Sequence, residues 1–274
     1  MYHTERYTTS NDERAHDSEG NPRFRWKPAP FMYYTRVVMN NYSTVFLSAF
    51  CALGITAGLT SCATLSGAAV DRERFVEIQS GDVTDELDGY RIVFVSDIHL
   101  GSNYTEERMA SLVREVNSAN CDIIILGGDY TLDATFIEPF GRVAAGFRAR
   151  DGVYAIAGNH DVWNGKRTTQ KALQSAGIVF LDETVVTLQN GIIIAGVGDY
   201  RFENPDMASL SEGIPKDAFA ILAAHNPDLV EQEEASENLD HFDLVLSGHT
   251  HGGQITLFGL ALKNASRYGQ RYLT

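Results

Sequence analysis

Short apolar runs alternate with amphipathic segments from residue 90 onward. Six strands are predicted from these runs, at residues 90–96, 122–126, 153–157, 192–197, 219–223 and 243–247. Several of the runs are continuously apolar, which is typical of strands buried on both faces. Thr105 with the two glutamates after it predicts the start of one helix, and Gly177 predicts the end of another, at residues 166–176. Strands that alternate with helices predict an α/β domain.

The chain before this pattern divides into two regions. Residues 1–44 are mostly polar, without apolar periodicity, and are predicted to be disordered. Residues 45–70 carry no charge and begin with a strongly apolar run that ends at Leu59, a length between a signal-peptide core and a bilayer span. A buried core helix is the alternative, but the run has no evident packing partner. We therefore predict a signal or membrane-anchor segment at 45–70 and a folded domain at 71–274.

The end of the apolar run resembles a bacterial lipoprotein cleavage site. In the tetrapeptide Leu59-Thr60-Ser61-Cys62, Cys62 would be the lipidated residue. Basic residues before the run and Asp71 after it favour a folded domain outside the cytoplasm. We expect a membrane-anchored protein, held either as a lipoprotein or by a segment in the bacterial inner membrane.

Charge and cysteine content exclude several classes of partner and site. The formal net charge is −14, and residues 1–44 contain six Lys/Arg and five Asp/Glu, so the acidic excess lies in the remainder. An acidic domain repels a phosphate backbone, and we expect no nucleic-acid partner. Buried metal cations would offset several of the carboxylates. Three cysteines provide neither a disulfide framework nor a Cys-type zinc site, and no obligate protein partner is inferred.

Polar residues suited to metal binding follow five of the predicted strands. In an open α/β sheet, ligands bind beyond the carboxyl ends of the strands, so these residues are expected to meet at one place. Carboxylate and imidazole groups without thiolate favour ions of the Mn, Fe or Zn class. Each fragment alone is more often a turn with a satisfied side chain, but five of them in order indicate a metal site. The predicted metal ligands are Asp97, His99, Asp129, Asn159, His225, His249 and His251. If extended, Asp97-x-His99 and His249-x-His251 would each present two ligands on one side.

These motifs resemble the calcineurin-like metallophosphoesterase superfamily, whose pattern is D-x-H, G-D, G-N-H-D/E, H and G-H-x-H. The resemblance covers residues 90–258 and implies a four-layer α/β/β/α sandwich with two divalent metal ions. By position, it implies one metal on Asp97, His99 and His251 and another on Asn159, His225 and His249, with Asp129 bridging. His160 is implied to contact the reacting phosphate and to donate a proton to the leaving group. Asp161 or Asp133 is the candidate for orienting that imidazole.

Finer features of the motifs are similar to a branch of membrane-associated bacterial phosphodiesterases. Residues 248–255 carry this similarity, and some members of the branch hydrolyse UDP-2,3-diacylglucosamine. The resemblance thus implies a phosphodiesterase or pyrophosphohydrolase that uses metal-activated water on a lipid-linked or envelope substrate. That reaction belongs on the cytoplasmic face, which conflicts with the predicted topology. Relatives usually continue for a few more strands, so either C-terminal strands are missing or the domain closes unusually early.

Two other functions remain open from the sequence. One is a phosphomonoesterase that acts on soluble substrates and is merely tethered to the membrane. The other is a non-catalytic metal-binding interaction module, against which the intact ligand set and His160 argue. The residue types in the loops at 199–216 and 231–241 do not indicate a chemical role. The second loop is acidic and is predicted to be a solvated helix face.

Overall fold

The computed structural model describes residues 76–78, 80 and 82–251 in full and, outside these ranges, only the backbone of several short strands. The predicted anchor at 45–70 lies outside the described residues, as does most of the predicted disordered segment at 1–44. Within the described part of the chain, no helix is both long enough and apolar enough to cross a bilayer.

Helices and strands alternate along the domain, as the hydrophobic pattern predicts. The helices are α1 (Glu106–Ser118), α2 (Ile137–Ala144), α3 (Asn159–Ser175), α4 (Met207–Ser211) and α5 (Glu233–Asn238), with 3-10 turns at Asp85–Leu87, Ala134–Phe136, Pro227–Glu231 and Leu239–His241. The strands are β1 (Glu5–Arg6), β2 (Ala15–His16), β3 (Pro22–Arg23), β4 (Met32–Thr35), β5 (Arg74–Glu77), β6 (Ile92–Val95), β7 (Ile123–Leu126), β8 (Val153–Ala155), β9 (Val179–Phe180), β10 (Thr184–Thr187), β11 (Ile193–Val197), β12 (Ala220–Ala224), β13 (Leu244–Leu246), β14 (Thr256–Leu257) and β15 (Leu260–Ala261).

The strands form two main sheets. The larger sheet has the order β1-β5-β4-β6-β7-β8-β9, and its strands β6 to β9 are mutually parallel. The smaller sheet has the order β10-β11-β12-β13, in which only β10 runs antiparallel to its neighbour. The strand pairs β2-β3 and β14-β15 are separate antiparallel ribbons. Parallel strands direct all their carboxyl ends to one edge of each sheet.

Alternating side chains of the strands build a domain of four layers. In β6, Ile92 and Phe94 face the smaller sheet, while Val93 and Val95 pack among residues of the helices on the other side. The buried cluster around Val93 includes side chains of α1, α2 and α3. A third cluster joins the outer face of the smaller sheet to α4 and α5. The layer order is therefore α/β/β/α, which confirms the predicted sandwich.

The predicted strands agree closely with observed ones, and one difference among the helices affects the residues at the site. Each of the six predicted strands starts and ends within two residues of an observed strand. Thr105 is the N-cap of α1, and its side chain accepts a hydrogen bond from the Arg108 N–H. Helix α3, however, begins at Asn159, well before the predicted start at residue 166, and it bends at Gly165, where φ is 119°. His160 and Asp161 thus lie on a separate first turn of a helix.

Candidate metal centre

The carboxyl ends of five strands deliver the predicted ligands to one region between the two sheets. Strands β6, β7 and β8 of the larger sheet precede the first four ligands, and β12 and β13 of the smaller sheet precede the other three. Six of the seven side chains lie within three overlapping groups of metal-binding atoms, each spanning at most 4.8 Å. These groups are Asp97, His99 and His251; His99, Asp129 and His160; and Asp129, His225 and His249.

Asp129 is shared by two of the three groups, and His99 links these to the third. Its Oδ2 lies 3.6 Å from the Nε2 of His99 and 3.3 Å from the Nε2 of His225. On the side of His99, the Nε2 of His251 lies 3.3 Å from that of His99 and 3.3 Å from the Oδ1 of Asp97. On the side of His225, the rings of His225 and His249 are 5.1 Å apart. The geometry therefore contains two sets of donors joined by one carboxylate.

Asn159 is the one predicted ligand that is neither a carboxylate nor an imidazole, so it is not counted in those three groups. It is buried, and its Oδ1 has no hydrogen-bond partner among the described residues. The next residue, His160, donates its backbone N–H to Asp129 Oδ1 at 2.8 Å, which places Asn159 beside the joining carboxylate. A buried carbonyl oxygen without a hydrogen bond costs free energy, and a cation would satisfy it.

The backbone at the ligands is unusual. Non-glycine residues with positive φ are rare because the Cβ atom collides with the backbone, at a cost of about 1–2 kcal/mol each. Such residues cluster at functional sites. Within the described residues, five of the seven non-glycine residues with positive φ are predicted ligands: Asp97 (56°), His99 (46°), Asp129 (55°), His249 (66°) and His251 (53°). The condition that the two His-containing pairs be extended is therefore not met, and each pair turns sharply instead.

Hydrogen bonds between the strand ends hold these turns. The N–H of Asp97 donates to the carbonyl of Gly128, and the N–H of His99 donates to that of Asp129, both at 3.0 Å. The two sheets are joined by the N–H of His249, which donates to Asp97 Oδ2 at 2.9 Å. A Cβ at Gly158 would lie 2.3 Å from Asp129 Oδ1, so only glycine permits this approach.

Charge in the region favours binding of cations. Burial would raise the pKa of Asp129, but the adjacent His225 holds the pKa of this carboxyl well below its usual range. Burial lowers the pKa of the His99 imidazole to about 4, so this ring is neutral and able to ligate. Burial likewise lowers the pKa of His249 to about 4, with His225 acting in the same direction. Burial would lower the pKa of His225, but Asp129 raises it to about 10, so a metal at this ring would have to displace its proton. Neutral imidazole and ionised carboxylate are the forms that bind divalent metals.

These residues fit divalent metal ions. The donors are imidazole nitrogens, carboxylate oxygens and an amide oxygen, which suit ions of the Mn, Fe or Zn class. Supporting hydrogen bonds are present as well, because the Nδ1 of His225 lies 2.7 Å from the carbonyl oxygen of Gly127 and leaves Nε2 facing Asp129. Such a bond fixes the ring nitrogen that is available to a metal.

The structure gives Asp161 a different contact set from the one predicted. Asp161 is buried, and its carboxylate accepts hydrogen bonds from the N–H groups of Asp129 at 2.7 Å, Gly158 at 2.8 Å and Tyr130 at 3.1 Å. Asp133 is exposed and accepts from Thr135. Neither carboxylate is bonded to the imidazole of His160, so the expectation that one of them orients this ring disagrees with the observed contacts. Asp161 instead holds the backbone on both sides of the Asp129 turn.

His160 contacts aromatic rings rather than a carboxylate. Its ring is edge-on to that of His99, with centroids 4.6 Å apart, and lies 4.9 Å from the ring of Trp163. By geometry it also completes a group of donors with His99 and Asp129. The position is suited either to a third ligand or to a proton donor beside the metals.

The loop after β11 contributes residues that the sequence did not reveal. Asp199 is buried, and its Oδ1 accepts the backbone N–H of Arg201 at 2.9 Å. The guanidinium of Arg201 lies 3.0 Å from the Nε2 of His249. The available signal was the position of Asp199, since β11 is a further strand whose carboxyl end reaches the same edge.

The fold and its joined donor sets define a metal-binding α/β sandwich protein. The family model described as calcineurin-like phosphoesterase matches residues 90–253, and the chain belongs to this family. Members usually bind divalent metals, and the groups described above could hold such ions.

Three relatives illustrate the similarity. An uncharacterized metallophosphoesterase of Helicobacter pylori is 30% identical over 195 residues, covering 67% of this chain and 50% of that protein. A Danio rerio protein named transmembrane protein with metallophosphoesterase domain is 30% identical over 223 residues, covering 74% and 50%. The uncharacterized metallophosphoesterase YkuE of Bacillus subtilis is 29% identical over 227 residues, covering 74% and 76%. The chain thus spans about half the length of the first two relatives.

Proposed function

We propose that this chain hydrolyses phosphodiester or pyrophosphate bonds with the help of two divalent cations. Asp97, His99 and His251 would hold one cation, Asn159, His225 and His249 would hold the other, and Asp129 would be shared between them. The observation that carries the proposal is the carboxylate of Asp129, which lies within 3.6 Å of histidine nitrogens of both donor sets. When bound, cations at such a site neutralise phosphate charge and lower the pKa of water.

His160 has the position required of the proton donor. In hydrolysis, the oxygen of water forms a bond to phosphorus, the bond from phosphorus to the leaving oxygen breaks, and that oxygen needs a proton. The backbone N–H of His160 is fixed by Asp129 Oδ1, and its side chain is half-buried at the rim of the donor groups. A protonated imidazole there supplies the proton.

Turnover by protein stripped of metal tests the proposed reaction. Chelator-treated protein is supplied with Mn²⁺, Fe²⁺ or Zn²⁺ and assayed on bis-p-nitrophenyl phosphate, p-nitrophenyl phosphate and UDP-2,3-diacylglucosamine. We expect metal-dependent turnover of the diester in preference to the monoester. A strong preference for the monoester would instead assign a phosphomonoesterase, and a lack of turnover with every metal would leave only a metal-binding module.

We also propose that residues 45–70 attach the domain to a membrane, outside the cytoplasm, and that the substrate is lipid-linked or part of the envelope. The support is the uncharged apolar run, together with the name of the Danio rerio relative, which is called a transmembrane protein. Attachment would hold the site beside amphiphilic substrates. Protease treatment of intact cells tests this arrangement, since a domain that stays uncleaved would contradict it.

A further inference from the structure

Two exposed aromatic side chains lie next to His160. Trp163 is 59% exposed and Phe202 is 46% exposed, and they are two of the four large apolar side chains that are exposed in the described part of the chain. Their rings contact each other edge to face, with centroids 5.7 Å apart, and Trp163 also contacts His160 at 4.9 Å. Isolated exposed apolar residues are ordinary, but these two form a contiguous pair beside the candidate proton donor.

Both rings are held in place by their backbone. Trp163 lies on the short N-terminal segment of α3, which the bend at Gly165 separates from the rest of the helix. The next residue, Asn164, donates its side-chain amide to the carbonyl of Thr131 at 3.0 Å. Phe202 lies on the loop after β11, where its N–H donates to the carbonyl of buried Asp199 at 3.0 Å. The pair is therefore a preformed surface, which lowers the entropic cost of binding.

The surroundings of the pair are polar. Arg201 precedes Phe202 and reaches His249, and Glu203 follows it and forms an ion pair with Lys166. Lys166 also binds Asp182 at 2.6 Å. Two rings at an interplanar angle of 86° form a short corner rather than a long groove. A flat ring with polar edges fits such a corner, whereas a flexible acyl chain needs an extended apolar surface.

We propose that Trp163 and Phe202 bind a planar aromatic ring carried by the leaving group, and that the leaving group is a nucleoside. This inference rests on the proposed phosphodiester hydrolysis, because His160 defines the side on which the leaving group departs. Stacking on an aromatic side chain stabilises every base through its π face, and loss of one such ring weakens binding by about tenfold or more. The corner formed by Trp163 and Phe202 therefore binds the leaving group of the substrate and not its phosphate.

Fluorescence tests ring binding without relying on turnover. The chain has two tryptophans, so in the full-length Trp26→Phe variant Trp163 is the sole tryptophan and reports on its own surroundings. We expect saturable quenching by adenosine, and none by glycerol at equal concentration. Phe202→Ala in the same background should weaken adenosine binding by about tenfold. Absence of saturable quenching by adenosine would overturn the proposal.

The kcat/KM values of two matched diesters test whether the protein prefers a leaving group that carries an aromatic ring. Adenosine 5′-(methyl phosphate) and methyl β-ribofuranoside 5-(methyl phosphate) both release a primary alcohol and methyl phosphate, so they differ in the aromatic base and not in the chemistry of the bond. We expect kcat/KM to favour the adenosine ester by about tenfold or more, and Trp163→Ala to bring the ratio of the two values close to one. Trp163→Phe should restore most of the preference, and Val185→Ala, at another exposed apolar residue on β10, should leave the ratio unchanged.

The outcomes of these experiments distinguish failure of the inference about the nucleoside from failure of the proposed hydrolysis. An equal loss for both esters in Trp163→Ala would indicate a structural role and overturn the proposal. Faster hydrolysis of octyl methyl phosphate than of the adenosine ester would overturn it in favour of an acyl-bearing leaving group. If bis-p-nitrophenyl phosphate is not hydrolysed with any cation, the proposed reaction fails, and the fluorescence titration still decides whether the corner binds an aromatic ring.

Discussion

At the residue scale, His160 separates hydrolysis from metal binding alone. We expect His160→Ala to lower kcat for alkyl phosphodiesters by about 10²–10⁴. The loss should be smaller for p-nitrophenyl esters, because that leaving group departs without a proton. Metal content, measured by mass spectrometry of the purified protein, should stay unchanged, as it should in the matched variant His241→Ala. Loss of a metal ion from the His160→Ala protein would show that this ring is a ligand instead.

Asp161 stabilises the backbone of the candidate metal centre. Its three backbone hydrogen bonds join the turns at Asp129 and Gly158. An amide side chain offers one acceptor oxygen and places N–H groups against N–H groups, so Asp161→Asn should lower the free energy of unfolding by about 1–3 kcal/mol. Denaturant titration measures this loss, and Asp133→Asn, at an exposed carboxylate, should show almost none. Equal stability of both variants would contradict the supporting role of Asp161.

Most of the candidate ligands could be predicted from the sequence, because residues that directly follow parallel strands lie close together whatever their side-chain conformations. The seven ligand positions follow from that rule, and the structure brings six of them into overlapping groups. The bonds that Asp161 accepts from Asp129 and Tyr130 could not be predicted, since these backbone N–H groups reach it only through the turn at Asp129. Arg201 was missed for a similar reason, because its approach to His249 depends on the packing of a loop across two strand ends.

At the element scale, close contact between turns limits which residues can follow β8. A methyl group at Gly158 would lie 2.3 Å from Asp129 Oδ1 and 2.6 Å from Asp129 N. We expect Gly158→Ala to displace the bridging carboxylate and to abolish cation binding, measured by calorimetric titration with Mn²⁺. Gly191→Ala is the matched control, because φ there is 89° and open space surrounds the position. That variant should lose about 1 kcal/mol or more of stability and keep its cation affinity.

Strands could be predicted where burial determines the pattern of apolar residues. Strands β6, β7 and β12 are continuous apolar runs, which is the pattern expected of strands that are buried on both faces. Strand β10 escaped prediction because it is short and mostly exposed at an edge of the smaller sheet. The early start of α3 also escaped, since Asn159 and His160 have weak helix propensity and their conformation depends on the hydrogen bond to Asp129.

At the scale of the whole molecule, the donor sets join the two sheets. Strand ends of the larger sheet supply Asp97, His99, Asp129 and Asn159, and those of the smaller sheet supply His225, His249 and His251. Cations that bind only the folded protein stabilise it by about 2.7 kcal/mol per site at a concentration one hundred times the Kd. We therefore expect Mn²⁺ to raise the melting temperature of chelator-treated protein by several degrees. Asp129→Asn should remove most of this increase, whereas an equal increase in that variant would show that the cations bind elsewhere.

The division of donors between the sheets also sets an order of events during synthesis. The ligands of the larger sheet lie between residues 97 and 159, while those of the smaller sheet come after residue 224. A growing chain that has emerged only as far as α3 contains Asp97 and His99 of one donor set, Asn159 of the other and the joining Asp129. Under the proposed assignment, one donor set is complete only after His249 and the other only after His251 has left the ribosome, and both need the smaller sheet to dock. Metal loading would therefore be a closing step of maturation.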